Sequence, residues 1–202
     1  MIHHTHPGMS HGNIVRVTVQ MADALQYLHD QEKQFHSDFK PLNILVRRLE
    51  PIDVVLADCA DMQATKAPRK SEAQCTQQYR SPEIVKRNRH QGPPDDIWAL
   101  GVSVLGMMVQ QPKMPYGEMN EYPKMCFEHL QNLLALNPQH DLLVLVKGML
   151  EWNVEDRATA AACHTMAQCL LPMGGEWKVQ GRRKGDHLGI IAPKEFRPIT
   201  FW

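Results

Sequence analysis

The chain has 202 residues, with 22 Lys and Arg against 22 Asp and Glu, 43% apolar and 6% aromatic residues, which is the profile of one ordinary globular domain and excludes a disordered or fibrous chain. Zero formal net charge leaves no dominant field of either sign, so neither nucleic acid nor an anionic membrane surface is expected as a partner. No apolar run approaches the roughly 18 residues of a membrane span, and the first residues lack the cationic and apolar regions of a secretory signal; an intracellular location, cytoplasmic or nuclear, is expected.

Residues 1–12 contain His3, His4, His6 and His11 beside Pro7, Gly8 and Gly12. With no Cys or carboxylate ligand among them, they read as a flexible leader and not as a metal site. From Asn13, a candidate cap, the apolar positions Ile14, Val17, Met21, Leu25 and Leu28 step by three and four along one stripe and predict an amphipathic helix. A polar connection over 30–35 leads into His36-Ser37-Asp38-Phe39-Lys40-Pro41-Leu42-Asn43. Short apolar runs at 44–46 and 54–57, with a polar, Pro-containing stretch between them, predict a small hairpin ending at Asp58.

Over 61–86 the periodicity is lost and a long loop is expected. Residues 62–90 carry seven Lys and Arg against two Glu, a net charge of +5. A strongly apolar helix over 96–109, with Ile97, Trp98, Leu100, Val102, Val104 and Leu105 spread around it, should be buried on most sides as a central strut. Helix-spaced apolar residues over 127–136, 142–150 and 159–171 predict three more helices. Residues 173–202 carry six Lys and Arg against three acids and read as a tail; residues 13–172 form the expected domain. The five cysteines, Cys59, Cys75, Cys126, Cys163 and Cys169, are scattered, odd in number and never spaced C-x-x-C, so neither a disulfide framework nor a zinc ribbon is indicated.

Asp38, Lys40, Asn43 and Asp58 form the set with chemical content. Phosphoryl transfer needs a carboxylate at the attacking hydroxyl, a cation on the transferring phosphate and oxygen ligands for Mg²⁺. Asp38 would orient the hydroxyl and take its proton, Lys40 would stabilise the phosphate, and Asn43 with Asp58 would hold magnesium from neighbouring segments. Taken singly, each carboxylate is more commonly a surface or capping residue.

In this order the residues resemble the large lobe of the eukaryotic protein kinase family, Ser/Thr type. The stretch from His36 to Asn43 is similar to its catalytic loop H-R-D-L-K-P-x-N, and Ala57-Asp58-Cys59-Ala60 to its D-F-G turn. Cys75-Thr76-Gln77-Gln78-Tyr79-Arg80-Ser81-Pro82-Glu83 resembles G-T-x-x-Y-x-A-P-E, Asp96-Ile97-Trp98-Ala99-Leu100-Gly101 resembles D-I-W-S-L-G, and Asp156-Arg157 resembles the late Arg that pairs with the A-P-E glutamate. The resemblance implies a mainly α fold with short β-hairpins at the catalytic cleft. It implies ATP and Mg²⁺ as cofactors, Asp38 and Lys40 as catalytic groups, Asn43 and Asp58 as cofactor and metal ligands, and His36, Thr76, Glu83, Asp96 and Arg157 as structural residues. Lys40, two residues after Asp38, points to Ser/Thr hydroxyls as acceptors.

Three positions depart from the pattern. Ser37 replaces the Arg on which the family's loop phosphate lands, and Cys59 and Ala60 replace Phe and Gly, a smaller spine residue and a less permissive backbone. No G-x-G-x-x-G occurs among the 12 glycines, and no V-A-I-K strand stands ahead of the first helix, so the resemblance covers a large lobe without the small one. Two functions are expected from this pattern: a partial protein kinase domain with little activity by itself, or a pseudokinase-like module that docks a protein without phosphotransfer. The basic stretch over 62–90 makes an acidic or phosphorylated segment the expected protein partner.

Overall fold

A computed structural model of the chain describes residues 9–66, 75–86, 92–114, 119–171 and 197–198. Most of the leader, residues 67–74 and 87–90 of the basic stretch, and the tail apart from 197–198 lie outside the described residues. In chain order the elements are α1 (His11–Asp30), β1 (Gln34–Phe35), β2 (Ile44–Leu49), β3 (Ile52–Leu56), β4 (Gln63–Ala64), α2 (Pro82–Val85), α3 (Pro93–Met108), α4 (Tyr122–Leu136), α5 (Asp141–Met149), α6 (Ala160–Cys169) and β5 (Arg197–Pro198). Single 3₁₀ turns lie at Pro41–Asn43, Cys59–Asp61, Gln77–Tyr79 and Met119–Glu121. The architecture is mainly helical with short antiparallel sheets, as expected.

The first helix buries the predicted stripe from Ile14 to Leu28 against α3, α6 and β3. Its cap is not Asn13. Ser10, in extended conformation, accepts a hydrogen bond from the Asn13 N–H at 3.3 Å, so the helix begins two residues before Asn13. Buried Gln20 then fastens α1 to the hairpin: its amide donates to the Ile52 carbonyl at 3.2 Å and its oxygen accepts from the Val54 N–H at 2.9 Å. Every polar atom of that side chain is thereby satisfied in the core.

The hairpin pairs β2 with β3 in antiparallel register, Ile44 opposite Leu56 and Leu49 opposite Ile52, with a bulge between Val46 and Arg48. Much of the stretch expected as a polar separation is therefore strand. Its charges are tolerated because this end of the hairpin is exposed and Arg47 reaches Asp53 at 2.8 Å. The other edge of β2 is covered by β5, with Leu45 opposite Pro198 and Val46 opposite Arg197. That two-residue pairing inside the tail carries no local signal, and a Pro sits acceptably there because an outer strand leaves its missing N–H without consequence.

The strut, α3, starts at Pro93, three residues before the predicted start, because prolines at the first helical positions forgo only N–H groups that have no partner in a helix anyway. Trp98, Leu100, Val102, Val104 and Leu105 are fully buried. At Gly101 a Cβ would stand 2.8 Å from Met149 Cβ and from Leu150 Cδ2, so α3 and α5 approach as closely as they do because that position has no side chain. The last helix opens with Thr159, whose hydroxyl accepts from the Ala162 N–H at 3.2 Å. Among the described residues no helix is long and apolar enough to cross a membrane.

Candidate active site

The loop from His36 to Asn43 is held from below by the first turn of α3. Asp96, almost fully buried, accepts hydrogen bonds from the His36 N–H at 2.7 Å and the Ser37 N–H at 3.0 Å, and pairs with His29 Nε2 at 2.9 Å. Three partners for one buried carboxylate satisfy the group that burial alone would penalise. His29 was not singled out from the sequence, since a His in the last turn of an amphipathic helix has no distinguishing spacing. The His36 ring, also buried, donates from Nε2 to the Ala57 carbonyl at 2.8 Å and so ties the loop to the residue before Asp58.

On the upper side of the loop, Asp38, Lys40 and Thr76 form a closed set. Asp38 Oδ1 accepts from the Thr76 N–H at 2.7 Å and the Thr76 hydroxyl at 2.8 Å, Lys40 Nζ meets Asp38 Oδ2 at 2.5 Å, and Nζ also donates to Thr76 Oγ1 at 3.0 Å. Half-burial pushes the Asp38 carboxyl up, but the Lys40 ammonium and the two Thr76 donors outweigh it and hold the group below the usual carboxylate value. Asp38 is therefore an anion at neutral pH, a good hydrogen-bond acceptor and a weak base.

Asn43 and Asp58 lie on adjoining segments. Asn43 Nδ2 donates to the Asp38 carbonyl at 2.9 Å, so the amide oxygen is the atom that would serve a cation. The Asn43 carbonyl accepts from the Ala57 N–H at 2.8 Å, which fixes the spacing between the two candidate ligands. Asp58 has φ 61° and ψ 56°, a left-handed backbone unusual for a residue with a side chain. Ala60, where the motif has Gly, lies inside the 3₁₀ turn with no positive φ, so its methyl group is accommodated. Two hard oxygen donors suit a small cation that keeps waters and takes its remaining ligands from phosphates. Among the described residues no group of three His, Cys, Asp or Glu could hold a metal alone.

Behind the loop, Arg157 donates from Nη1 and Nη2 to the two Glu83 carboxylate oxygens at 2.6 and 2.9 Å. A small cavity is lined by Asp38, Phe39, Cys75, Tyr79, Ser81 and Asp95. Asp95, buried, accepts from the Ser81 hydroxyl and from the Gly92 N–H at 2.7 Å. Burial pushes its carboxyl up to about 7, and the Glu83 charge adds to this while Ser81, Gly92 and Arg157 offset only part. Between about pH 4 and pH 7 the folded chain holds a proton that the unfolded chain has released, so this group's contribution to stability falls as pH rises through that window. Asp95→Asn is expected to remove the slope, because the amide mimics the protonated acid and the Ser81 hydroxyl can turn to accept from it. Urea melts of both proteins at pH 5 and pH 8 check this: the variant should gain on the order of 2 kcal/mol relative to wild type between the two pH values. An equal difference at both would place the titration elsewhere.

The structure thus brings Asp38, Lys40 and Thr76 into contact, sets Asn43 and Asp58 on adjoining segments, and joins Glu83 to Arg157 and Asp96 to the loop. The family model described as "Protein kinase domain" matches residues 1–168. An Aurora kinase of Eremothecium gossypii is 32% identical over 157 residues, 74% of this chain and 41% of that protein. Serine/threonine-protein kinase PAK mbt of Drosophila melanogaster is 32% identical over 164 residues, 78% of this chain and 25% of that protein. Serine/threonine-protein kinase STE20 of Kluyveromyces lactis is 30% identical over 170 residues, again 78% of this chain and 16% of that protein. This chain spans less than half the length of each of these relatives. By the extent of the match and the motifs it contains, the chain belongs to the protein kinase domain family.

Proposed function

We propose that this chain supplies the catalytic-loop half of a serine/threonine protein kinase site, with Asp38 and Lys40 at the transferred phosphoryl group and Asn43 and Asp58 as ligands for Mg²⁺ bound with ATP. The observation that carries this reading is the closed set of Asp38, Lys40 and Thr76, which fixes a carboxylate and an ammonium side by side on one face of the loop. Magnesium on the nucleotide would neutralise charge that builds on the phosphate oxygens.

Asp38, held ionised by its partners, accepts the hydrogen bond of a substrate hydroxyl and aligns it; its low basicity suits a loose transition state in which the proton leaves late. Lys40 places its positive charge 2.5 Å from the same carboxylate, where it would offset the negative charge of the transferring γ-phosphoryl oxygens. The acceptor in this reading is a Ser or Thr of a protein, and the net charge of +5 over residues 62–90 favours acidic or phosphorylated partner segments.

Thermal shift with Mg²⁺-ATP tests the metal ligands. Asp58→Asn keeps the size of the side chain and removes its charge, and it is expected to weaken Mg²⁺-ATP binding at least about tenfold, erasing most of the shift. A variant that keeps the full wild-type shift would put the nucleotide elsewhere.

A further inference from the structure

Among the described residues three without a glycine's freedom take a positive φ: Lys33 at 53°, Ser37 at 69° and Asp58 at 61°. All three lie at one junction, where the chain entering the catalytic loop meets the chain leaving Asp58. Such backbone costs energy, and it persists where surrounding contacts over-determine it. The contacts here are specific. The Ser37 hydroxyl donates to the Asp61 carbonyl at 2.8 Å while the Ser37 N–H is held by Asp96 at 3.0 Å. Asp61 closes the 3₁₀ turn that starts immediately after Asp58. Two residues on, β4 pairs with β1, and both the N–H and the hydroxyl of Thr65 reach the Lys33 carbonyl, at 2.9 and 3.1 Å.

We propose that Ser37 is a positioning residue for Asp58. Its hydroxyl fixes the Asp61 carbonyl, the carbonyl fixes the turn, and the turn sets the left-handed backbone from which the Asp58 carboxylate projects. The latch is neutral and internal, at the position where the resemblance places a cation awaiting a phosphate. The start of the segment after Asp58 is thereby ordered by a hydroxyl and not by an added phosphate. The bond from the Ser37 hydroxyl to the Asp61 carbonyl joins two neutral groups and so neither titrates nor is screened by salt itself. The positioning role rests on Asp58 being the metal ligand proposed above; the latch itself does not.

Amide hydrogen exchange on the full 202-residue chain, without nucleotide, tests the latch. Ser37→Gly keeps the N–H to Asp96, adopts a positive φ without strain and removes the hydroxymethyl group that makes the latch. The amides of Met62 and Thr65 are expected to exchange about fivefold faster, while the amides of α3 and the Tm stay at or above wild-type values. Ser37→Asn, which tolerates left-handed backbone and restores a donor, is expected to recover part of the protection. Unchanged exchange at Met62 and Thr65 in the Gly variant overturns the latch. Faster exchange throughout α1 and α3 with a lower Tm overturns it as well, since the hydroxyl would then support the whole domain.

A second arm measures the thermal shift with Mg²⁺-ATP, with Asp58→Asn as reference. Ser37→Gly is expected to lose part of the Mg²⁺-dependent shift that Asp58→Asn loses. If Asp58→Asn removes the shift and Ser37→Gly keeps all of it, the positioning role fails. If Asp58→Asn keeps it, the proposed metal ligand fails, and the exchange data alone still decide the latch.

Discussion

Arg157→Ala is expected to destabilise the folded chain by about 3–5 kcal/mol, enough to leave a domain of ordinary stability partly unfolded. The guanidinium is buried and uses all three nitrogens: Nη1 and Nη2 on Glu83 at 2.6 and 2.9 Å, Nη1 also on the Pro94 carbonyl at 3.1 Å, and Nε on the Glu151 carbonyl at 3.1 Å. Its carbon lies 5.1 Å from the centroid of the Trp98 ring, which is fully buried on the strut. Truncation would strand the Glu83 carboxylate in a site from which water is nearly excluded and would remove the Arg157 hydrogen bonds to the Pro94 and Glu151 carbonyls. Lys would not rescue it, since a point charge cannot make the two parallel bonds of the fork. Lys124→Ala is the control: its side chain is 60% exposed and 4.0 Å from Glu128, and exposed pairs of that kind contribute less than about 0.5 kcal/mol. Denaturant melts that give the two variants equal stability would show that the buried pair is dispensable.

The 202-residue chain, expressed by itself, is expected to transfer phosphate from ATP at no more than a trace rate. The groups present orient the hydroxyl and two metal ligands, but phosphoryl transfer owes most of its acceleration to positioning and to charge stabilisation around all the phosphates. The sequence contains no G-x-G-x-x-G among its 12 glycines and no lysine-bearing V-A-I-K strand to clamp the α- and β-phosphates. Losing such a clamp removes several powers of ten in rate, because every unconstrained rotation of the nucleotide lowers the fraction of time its γ-phosphate is in line with the acceptor. Labelled ATP with a generic acidic or basic protein substrate measures this. Robust turnover that Asp38→Ala abolishes would mean that these residues suffice without a phosphate clamp.

The family and the helical frame are legible in the order of residues alone. Motif residues within one loop, such as Asp38, Lys40 and Asn43, are legible because their spacing is covalent, and the stripe from Ile14 to Leu28 is legible because burial of one helix face imposes its period on the chain. Boundaries were less legible: Ser10 and Asn13 are both capping residues, and Pro93 and Pro94 are breakers anywhere except in a first turn. Which groups meet across long stretches of chain depends on the folded packing. Thr76 reaches Asp38 over 38 residues, Asp96 receives the His36 and Ser37 amides over about 60, and Arg197–Pro198 finds the edge of β2 from the far end. That packing also decides the electrostatics, since Asp38 and Asp95 are the same residue type, yet donors hold one carboxyl down and burial drives the other up to about 7. Neither outcome is encoded near the residue concerned, because desolvation and hydrogen bonding depend on what the folded chain packs around a group.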